Sequence, residues 1–283
     1  MQTIAIIGAG TMGRGIAQSA ALAGYRVILY DVADDLLAQA LDQIKASIDK
    51  GVELGKTAAA AAERAQQALQ LTTDLAEAAA ADMVIEAAPE RLDLKRELFA
   101  RLDASAPART ILASNTSSLS INALAGATGR ADRFLGLHFF NPAHIMKLVE
   151  VIRGEFTSES TLAAAVDFAR SLGKTPVLCK DTPAFIVNRV ARPFYGEGLR
   201  LLGENAANAA TIDELVRSVG FRMGPFELID LVGCDVNLAV TQSVYEATFQ
   251  DPKYRPHPIQ KRMVESGRLG RKSGHGFYDY NEA

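Results

Sequence analysis

The sequence predicts an α/β protein: a domain built on a mostly parallel sheet, followed by a smaller all-helical domain. Three observations predict it. Short β-branched runs alternate with helical stretches up to about residue 180. The first of these runs ends in a glycine turn that opens a helix. After Asp181-Thr182-Pro183 the strand signal stops, and helical candidates are punctuated by Gly-Pro, Asp-Pro and Arg-Pro steps. Composition agrees, with 48% hydrophobic and 22% charged residues over 283 positions, which argues against disorder. A net charge of −3 offers no basic field for phosphate backbones, so no nucleic-acid partner is expected. No apolar run approaches the roughly 18 residues that a membrane span requires. The chain enters its first strand without a basic leader, and a cytoplasmic location is expected. Cys179 and Cys234 form no CxxC pair; both are expected to be buried, reduced thiols, and no metal is expected.

The elements follow in order. Thr3 to Ile7 has the composition of a buried parallel strand and stops at Gly8. Met12 to Ala23 favours a helix, with Gly24 as its stop. Arg26 to Tyr30 is a second strand ending at Asp31, so these pieces make a βαβ unit with a right-handed crossover. Asp34 to Leu69 reads as two helices, broken near Gly51 to Lys56 and sustained by the alanine run at 58–62. Met83 to Glu86 and Thr110 to Ala113 are further strands. Between them, Leu94, Leu98 and Leu102 share one helical face. Phe134 to His138 and Leu148 to Ile152 are strands, followed by a helix through Leu172 and a strand at Pro176 to Cys179. The boundary falls at 183, giving domains 1–183 and 184–283, with no internal repeat of solenoid period.

Gly8-Ala9-Gly10-Thr11-Met12-Gly13 is a GxGxxG directly after a strand and opening a helix. Gly8 permits the tight turn, Gly10 lets the backbone approach a pyrophosphate, and Gly13 allows the helix to pack close to the strand. The N–H groups of Thr11, Met12 and Gly13 stand at the positive end of the helix, where an anion is favoured. With Asp31 at the end of strand two, this is the pattern of a Rossmann-type dinucleotide domain. Asp31 is placed to accept from an adenosine ribose. Val32, Ala33 and Asp34 follow it with no arginine for a 2′-phosphate, so NAD is favoured over NADP.

His138 closes an apolar strand and begins His138-Phe139-Phe140-Asn141-Pro142, and Glu150 sits twelve residues on inside Leu148-Val149-Glu150-Val151. A carboxylate inside an apolar strand needs a partner. If the two strands are neighbours, Glu150 holds one nitrogen of His138 and leaves the other as a base. From spacing alone, a satisfied core histidine beside an unrelated edge glutamate is the plainer alternative. Ser114-Asn115-Thr116-Ser117-Ser118 follows another strand end, with helix capping and polarisation of a substrate oxygen both open.

Together, GAGTMGRGIA, SNTSSLSI, HFFNPAHIMKLVEV, DTPAFIVNRV and GRKSGHGFYDY resemble the L-3-hydroxyacyl-CoA dehydrogenase family over essentially the whole chain. GFRMGPFELID and FIVNRVARPFYGE are most similar to its 3-hydroxybutyryl-CoA and 3-hydroxyadipyl-CoA branch. The resemblance implies NAD-dependent oxidation of an L-3-hydroxyacyl-CoA to the 3-ketoacyl-CoA. It implies His138 as general base, Glu150 orienting it, and Ser117 and Asn188 bonding the reacting oxygen in a cleft between the domains. Asp31, Glu90, Lys95, Asn115, Ser117 and Asn141 would lie with NAD; a solvated helix face is the plain alternative for Glu90 and Lys95. Lys50 and Lys56, on the helical hairpin, are candidates for the CoA moiety, with a merely charged surface as the alternative. An acyl-CoA substrate and a homodimer are implied. The acyl chain, whether butyryl or the adipyl of aromatic (phenylacetate-type) degradation, is left open.

Rival readings are a free-acid β-hydroxyacid dehydrogenase, which would use a lysine base, and a non-catalytic nucleotide-binding or structural relative. The chain departs from the family at four places. Ala143 and His144 follow the HFFNP step, Val32 follows Asp31, and Ala184 replaces a glycine, where a positive φ would strain alanine. His144 and His275 are expected on the surface.

Overall fold

The computed structural model describes residues 1–281; positions 282 and 283 of the expected second domain lie outside the described residues. It divides into two compact units, Met1–Thr182 and Pro183–Ala283. No helix among the described residues is long and apolar enough to cross a membrane.

In the first unit, β1 (Thr3–Ile7) leads through the glycine turn into α1 (Thr11–Leu22) and β2 (Arg26–Tyr30). The hairpin follows as α2 (Asp34–Glu53) and α3 (Ala59–Gln67), then β3 (Leu69–Thr72) and α4 (Leu75–Ala79). Next come β4 (Met83–Glu86), α5 (Leu92–Ser105), β5 (Ile111–Ser114) and α6 (Ile121–Ala125). The unit ends with β6 (Phe134–Phe139), β7 (Leu148–Arg153), α7 (Glu159–Ser171) and β8 (Thr175–Lys180). The eight strands form one sheet in the order β3-β2-β1-β4-β5-β6-β7-β8, parallel throughout except at β6–β7. The order reverses between β1 and β4, which is where open α/β sheets bind ligands beyond their carboxyl ends. Ile4, Ile6, Val27, Leu29, Met83 and Ile85 anchor the core, against which α1 lays its small residues.

Two expectations need correction here. Leu69 belongs to a strand, not to the end of a helix, and β3 and α4 were not foreseen. Leu-Gln-Leu-Thr has no strong preference of its own, and it becomes a strand by pairing with Val27 to Tyr30 at the sheet edge. Cys179 is only partly buried, because β8 is the opposite edge strand; Cys234 is buried as expected, and both thiols are free.

The second unit is helical: α8 (Val187–Gly203), α9 (Ala209–Ser218), α10 (Pro225–Val232), α11 (Cys234–Ala247) and α12 (Pro258–Glu265). Tyr195, Leu199, Ile212, Phe226 and Ile229 form its core. Two buried aspartates fasten it. Asp213 accepts from the Phe226 and Glu227 amides and the Tyr278 hydroxyl. Asp230 accepts from the Phe277 and Tyr278 amides and the Tyr280 hydroxyl, pinning the terminal segment to α10. His275 lies in that segment, half-buried instead of fully on the surface, since it bridges to Gly270 and Asp279 and its ring meets Asn281. Ala184 has φ 58°, the left-handed conformation in which an alanine is strained by about 1 kcal/mol or more.

Candidate active site

The glycine turn is built as its sequence demands. Gly8 has φ 109°, and a Cβ there would stand 2.7 Å from the carbonyl oxygen of Ala87. A Cβ on Gly13 would stand 1.8 Å from the oxygen of Gly8, so only glycine lets α1 pack against the turn. On Gly10, by contrast, a Cβ would meet nothing within 4 Å. The turn is therefore closed by protein behind and open in front, above the N–H groups of Thr11, Met12 and Gly13 that α1 leaves unpaired. That is a cradle for a pyrophosphate, and the chain fits NAD there. Asp31 braces the cradle: one carboxylate oxygen accepts from Ala9 N at 2.7 Å and the other from Val32 N at 2.7 Å.

At the carboxyl end of β4 stands a charged cluster. Lys95, on α5, is 1% exposed, which excludes a solvated helix face for it. Its ammonium reaches Glu86 at 2.6 Å, the carbonyl of Ala88 at 3.2 Å and Glu90 at 3.1 Å. Glu86 is fully buried and accepts further from Ser114 Oγ at 2.6 Å and Ala88 N at 2.6 Å. Burial pushes the Glu86 carboxyl above its ordinary range, and Lys95 and Ser114 offset only part of that. Burial works in the same direction on Glu90, but the Lys95 ammonium and the Thr116 and Ser117 donors outweigh it and hold the Glu90 carboxyl low. Glu90 Oε1 accepts from the Ser117 amide at 2.9 Å and from its hydroxyl at 3.3 Å. Glu90, Lys95 and Ser117 are thus one connected group. Glu86 was missed in the sequence, although a carboxylate ending an all-apolar strand is the oddity that singled out Glu150.

The histidine and its acid are neighbours. β6 and β7 are antiparallel with His138 opposite Glu150, and His138 Nδ1 lies 2.7 Å from Glu150 Oε2. Both are buried. The pair takes the place of the unrelated core histidine and edge glutamate. An Nδ1–H donated to the carboxylate makes Nε2 the basic nitrogen. Asn115 ties the pair to its surroundings: its side-chain oxygen accepts from the Phe139 amide at 2.9 Å, and its own amide donates to the Glu86 carbonyl at 2.8 Å.

The remaining candidates are placed as follows. Asn141 is exposed in the loop after β6. That loop is clamped by Lys174, unforeseen in the sequence, whose ammonium donates to the carbonyls of Ala143 at 2.6 Å and Met146 at 2.8 Å. Ala143 is buried against α1, where a Cβ on Gly15 would come within 3.0 Å of it. A side chain larger than alanine at 143 would press on the nucleotide-binding helix. His144 is exposed as expected; partial burial and then the Lys174 charge lower its pKa. Lys50, in the last turn of α2 and paired to Glu53, and Lys56, between α2 and α3, are exposed, and no described contact joins them to the other candidates. In the second unit, Asn188 stands in the first turn of α8.

Comparison with known proteins agrees with this geometry. Residues 3–182 match the family model of the 3-hydroxyacyl-CoA dehydrogenase NAD binding domain, and residues 185–280 match that of its C-terminal domain. The chain is 49% identical over 99% of its length to 3-hydroxyadipyl-CoA dehydrogenase of Escherichia coli strain K12, and it spans 59% of that protein. It is 44% identical over 98% of its length to the mitochondrial hydroxyacyl-coenzyme A dehydrogenase of Sus scrofa, covering 90% of it. The crystal structure of (S)-3-hydroxybutyryl-CoA dehydrogenase from Ralstonia eutropha superposes with a TM-score of 0.95 at 41% identity, over 99% of both chains.

Proposed function

The chain belongs to the 3-hydroxyacyl-CoA dehydrogenase family, and on that premise we propose that it oxidises an L-3-hydroxyacyl-CoA to the 3-ketoacyl-CoA with His138 as general base. The observation that carries the proposal is the buried His138–Glu150 pair at 2.7 Å, in the same sheet as a glycine turn shaped for a dinucleotide. NAD supplies the acceptor for the hydride leaving C3. His138 Nε2 takes the proton of the 3-hydroxyl, so the C–O bond becomes a carbonyl and the imidazole becomes an imidazolium. Glu150, desolvated and 2.7 Å away, stabilises that charge and keeps the ring from rotating. Ser117 holds the reacting oxygen, with Glu90 fixing its backbone and hydroxyl; we assign the second donor on that oxygen to Asn188. The turn from Gly8 to Gly13 and Asp31 bind the nucleotide, with Lys95 keeping Glu90 in place. Asn115 and Asn141 are assigned to its nicotinamide side, and Lys50 and Lys56 to CoA.

The deciding experiment is NADH oxidation with acetoacetyl-CoA, run beside free acetoacetate and beside NADPH. Turnover of the thioester with NADH alone is expected. Turnover of the free acid instead would move the chain to β-hydroxyacid chemistry, and NADH binding without turnover of any thioester would leave only a nucleotide-binding role.

A homodimer through the helical unit is proposed with this activity. Val190, Leu215, Val219, Phe221, Leu231 and Val236 all carry exposed apolar side chains there, and light scattering at twice the chain mass is the expected result. A cytoplasmic location is proposed as well, supported by the two free thiols and checked by cell fractionation.

A further inference from the structure

The helical unit gathers four cations beside two tyrosines and pairs none of them with an acid among the described residues. Arg192, on α8, is 6% exposed. Its Nε donates to the Asn188 carbonyl at 3.1 Å, and Nη1 donates to the Asn237 carbonyl at 3.0 Å and to Thr241 Oγ1 at 2.9 Å. Its Nη2 donates to none of the described residues. The guanidinium lies over the Tyr195 ring, 4.8 Å from its centroid, and the Lys253 ammonium lies over the Tyr254 ring at 5.4 Å. Arg189 Nε donates to the Tyr254 hydroxyl at 3.3 Å, and Arg255 follows Tyr254 in the chain. Asp251 accepts from the Lys253 amide and Glu197 pairs with Arg200; no described ion pair joins either acid to these four cations. Burial lowers the Arg192 pKa to about 10, which leaves the group charged at neutral pH. A charge held out of water is costly unless one of opposite sign stands close.

A small cavity lies against this cluster. Its lining includes Arg192, Thr241, Tyr254 and Gln260, all buried, and the exposed Lys253 and Arg255, with no acid among the lining residues. The centre of a water-sized sphere has about 10 Å³ in which to move there. A monatomic ion slightly larger than water therefore fits, and a carboxylate or a phosphate does not. The wall is rich in donors. Thr241 Oγ1 accepts from Arg192, Tyr254 Oη from Arg189, and Gln260 Oε1 from the His257 amide at 3.0 Å. A water has two protons to place, and three of the four side-chain oxygens on the wall, Tyr195 being the fourth, already accept a hydrogen bond. A halide has no protons to place and accepts from every side.

We propose that this cavity is a halide site that holds chloride, with Arg192 as its buried ligand and Lys253 and Arg255 as the cations at its mouth. The ion offsets the charge of the cluster and links α8 and α11 to the segment 253–255. The inference concerns the helical unit alone and does not rest on the reaction assigned above.

The test is a thermal melt of the full chain as chloride replaces gluconate in steps, at one pH and one ionic strength. Gluconate is too large for the cavity, so it serves as the inert anion. At ten times its dissociation constant, chloride shifts the folding equilibrium about tenfold. The melting temperature is then expected to rise by about 3–6 °C. Arg192→Gln is expected to abolish that rise. Lys253→Ala/Arg255→Ala, at two exposed positions, should raise the chloride concentration of half-effect at least about threefold. Crystals grown in bromide should show an anomalous peak within hydrogen-bonding distance of the Arg192 guanidinium.

Equal melting temperatures in the two salts would overturn the proposal. So would an undiminished chloride effect in Arg192→Gln, which marks a general salt effect. If Arg192→Gln does not fold, the Lys253→Ala/Arg255→Ala variant and the bromide crystal decide. An unchanged half-effect concentration, or density in the cavity without anomalous signal, marks a bound water and overturns the halide. A bromide peak without chloride-dependent melting marks binding at crystal concentration only, and overturns it as well.

Discussion

Removing Lys95 tests how far the buried charges of the first unit depend on one another. In Lys95→Met the Glu86 carboxylate, fully buried and 2.6 Å from the lost ammonium, keeps only the Ser114 hydroxyl and the Ala88 amide. Breaking a buried pair from one side costs about 3–5 kcal/mol, because the other charge is left behind. At about 2–4 °C per kcal/mol for a unit of this size, the melting temperature should fall by about 6–20 °C. The pH dependence has a definite sign. Burial already holds the Glu86 carboxyl above its ordinary 4.5, and losing Lys95 removes what offsets that. A carboxyl raised in the fold contributes stability that is complete below the unfolded value and is lost as pH rises through the folded value. The deficit of Lys95→Met should therefore be largest near neutral pH and narrow as pH falls toward the ordinary carboxyl range. Adding Glu86→Gln should restore most of the loss. Thermal melts of the wild type, both single variants and the double variant give the cycle directly. A loss below about 1 kcal/mol, the worth of a surface pair, or one that does not shrink in acid, would refute the reasoning.

His138→Gln should lower kcat by about 10²–10⁴, the range of general-base catalysis, while NADH fluorescence still reports near-normal binding. Gly13→Ala drives a Cβ to 1.8 Å from the Gly8 oxygen, so NADH affinity should fall at least about tenfold in the same titration. Lys174→Met leaves the carbonyls of Ala143 and Met146 without their donor, and urea unfolding should show a loss of about 1–3 kcal/mol.

Much of this was legible in residue order because it is local. GxGxxG after a strand allows few backbone paths, and the structure follows the expected one, with Asp31 bonded back to Ala9. The His138–Glu150 pair was legible only as a condition, since spacing states that two residues can meet but not that their strands are neighbours. Antiparallel pairing of β6 with β7, opposed to the parallel pairing of β6 with β5, makes them meet, and that choice depends on the loop between them. Lys174, and the burial of Lys95, were illegible for a different reason. A lysine on a helix or at a turn is usually solvated, and only tertiary packing reveals that their ammonium groups are turned inward. β3 escaped because four residues at a sheet edge take their conformation from β2.

The single antiparallel strand also explains how the site is assembled. In a parallel sheet all carboxyl ends line one edge, so Gly8, Asp31, Glu86, Ser114 and His138 arrive there by topology alone. Hydrogen bonds then cross from strand to strand along that edge: Gly8 N to the Tyr30 carbonyl, Ala87 N to the Ile7 carbonyl, Asn115 N to the Glu86 carbonyl and Phe139 N to the Asn115 side chain. A strand parallel to β6 would bring only its own end to the same level. Because β7 runs the other way, it carries Glu150 from within its length to a position opposite His138 and keeps that carboxylate out of water. A carboxylate at a strand end, where loops admit solvent, would be screened and would hold an imidazolium less strongly. The reversal of one strand thus provides a desolvated acid against the His138 ring while leaving the open edge to the nucleotide.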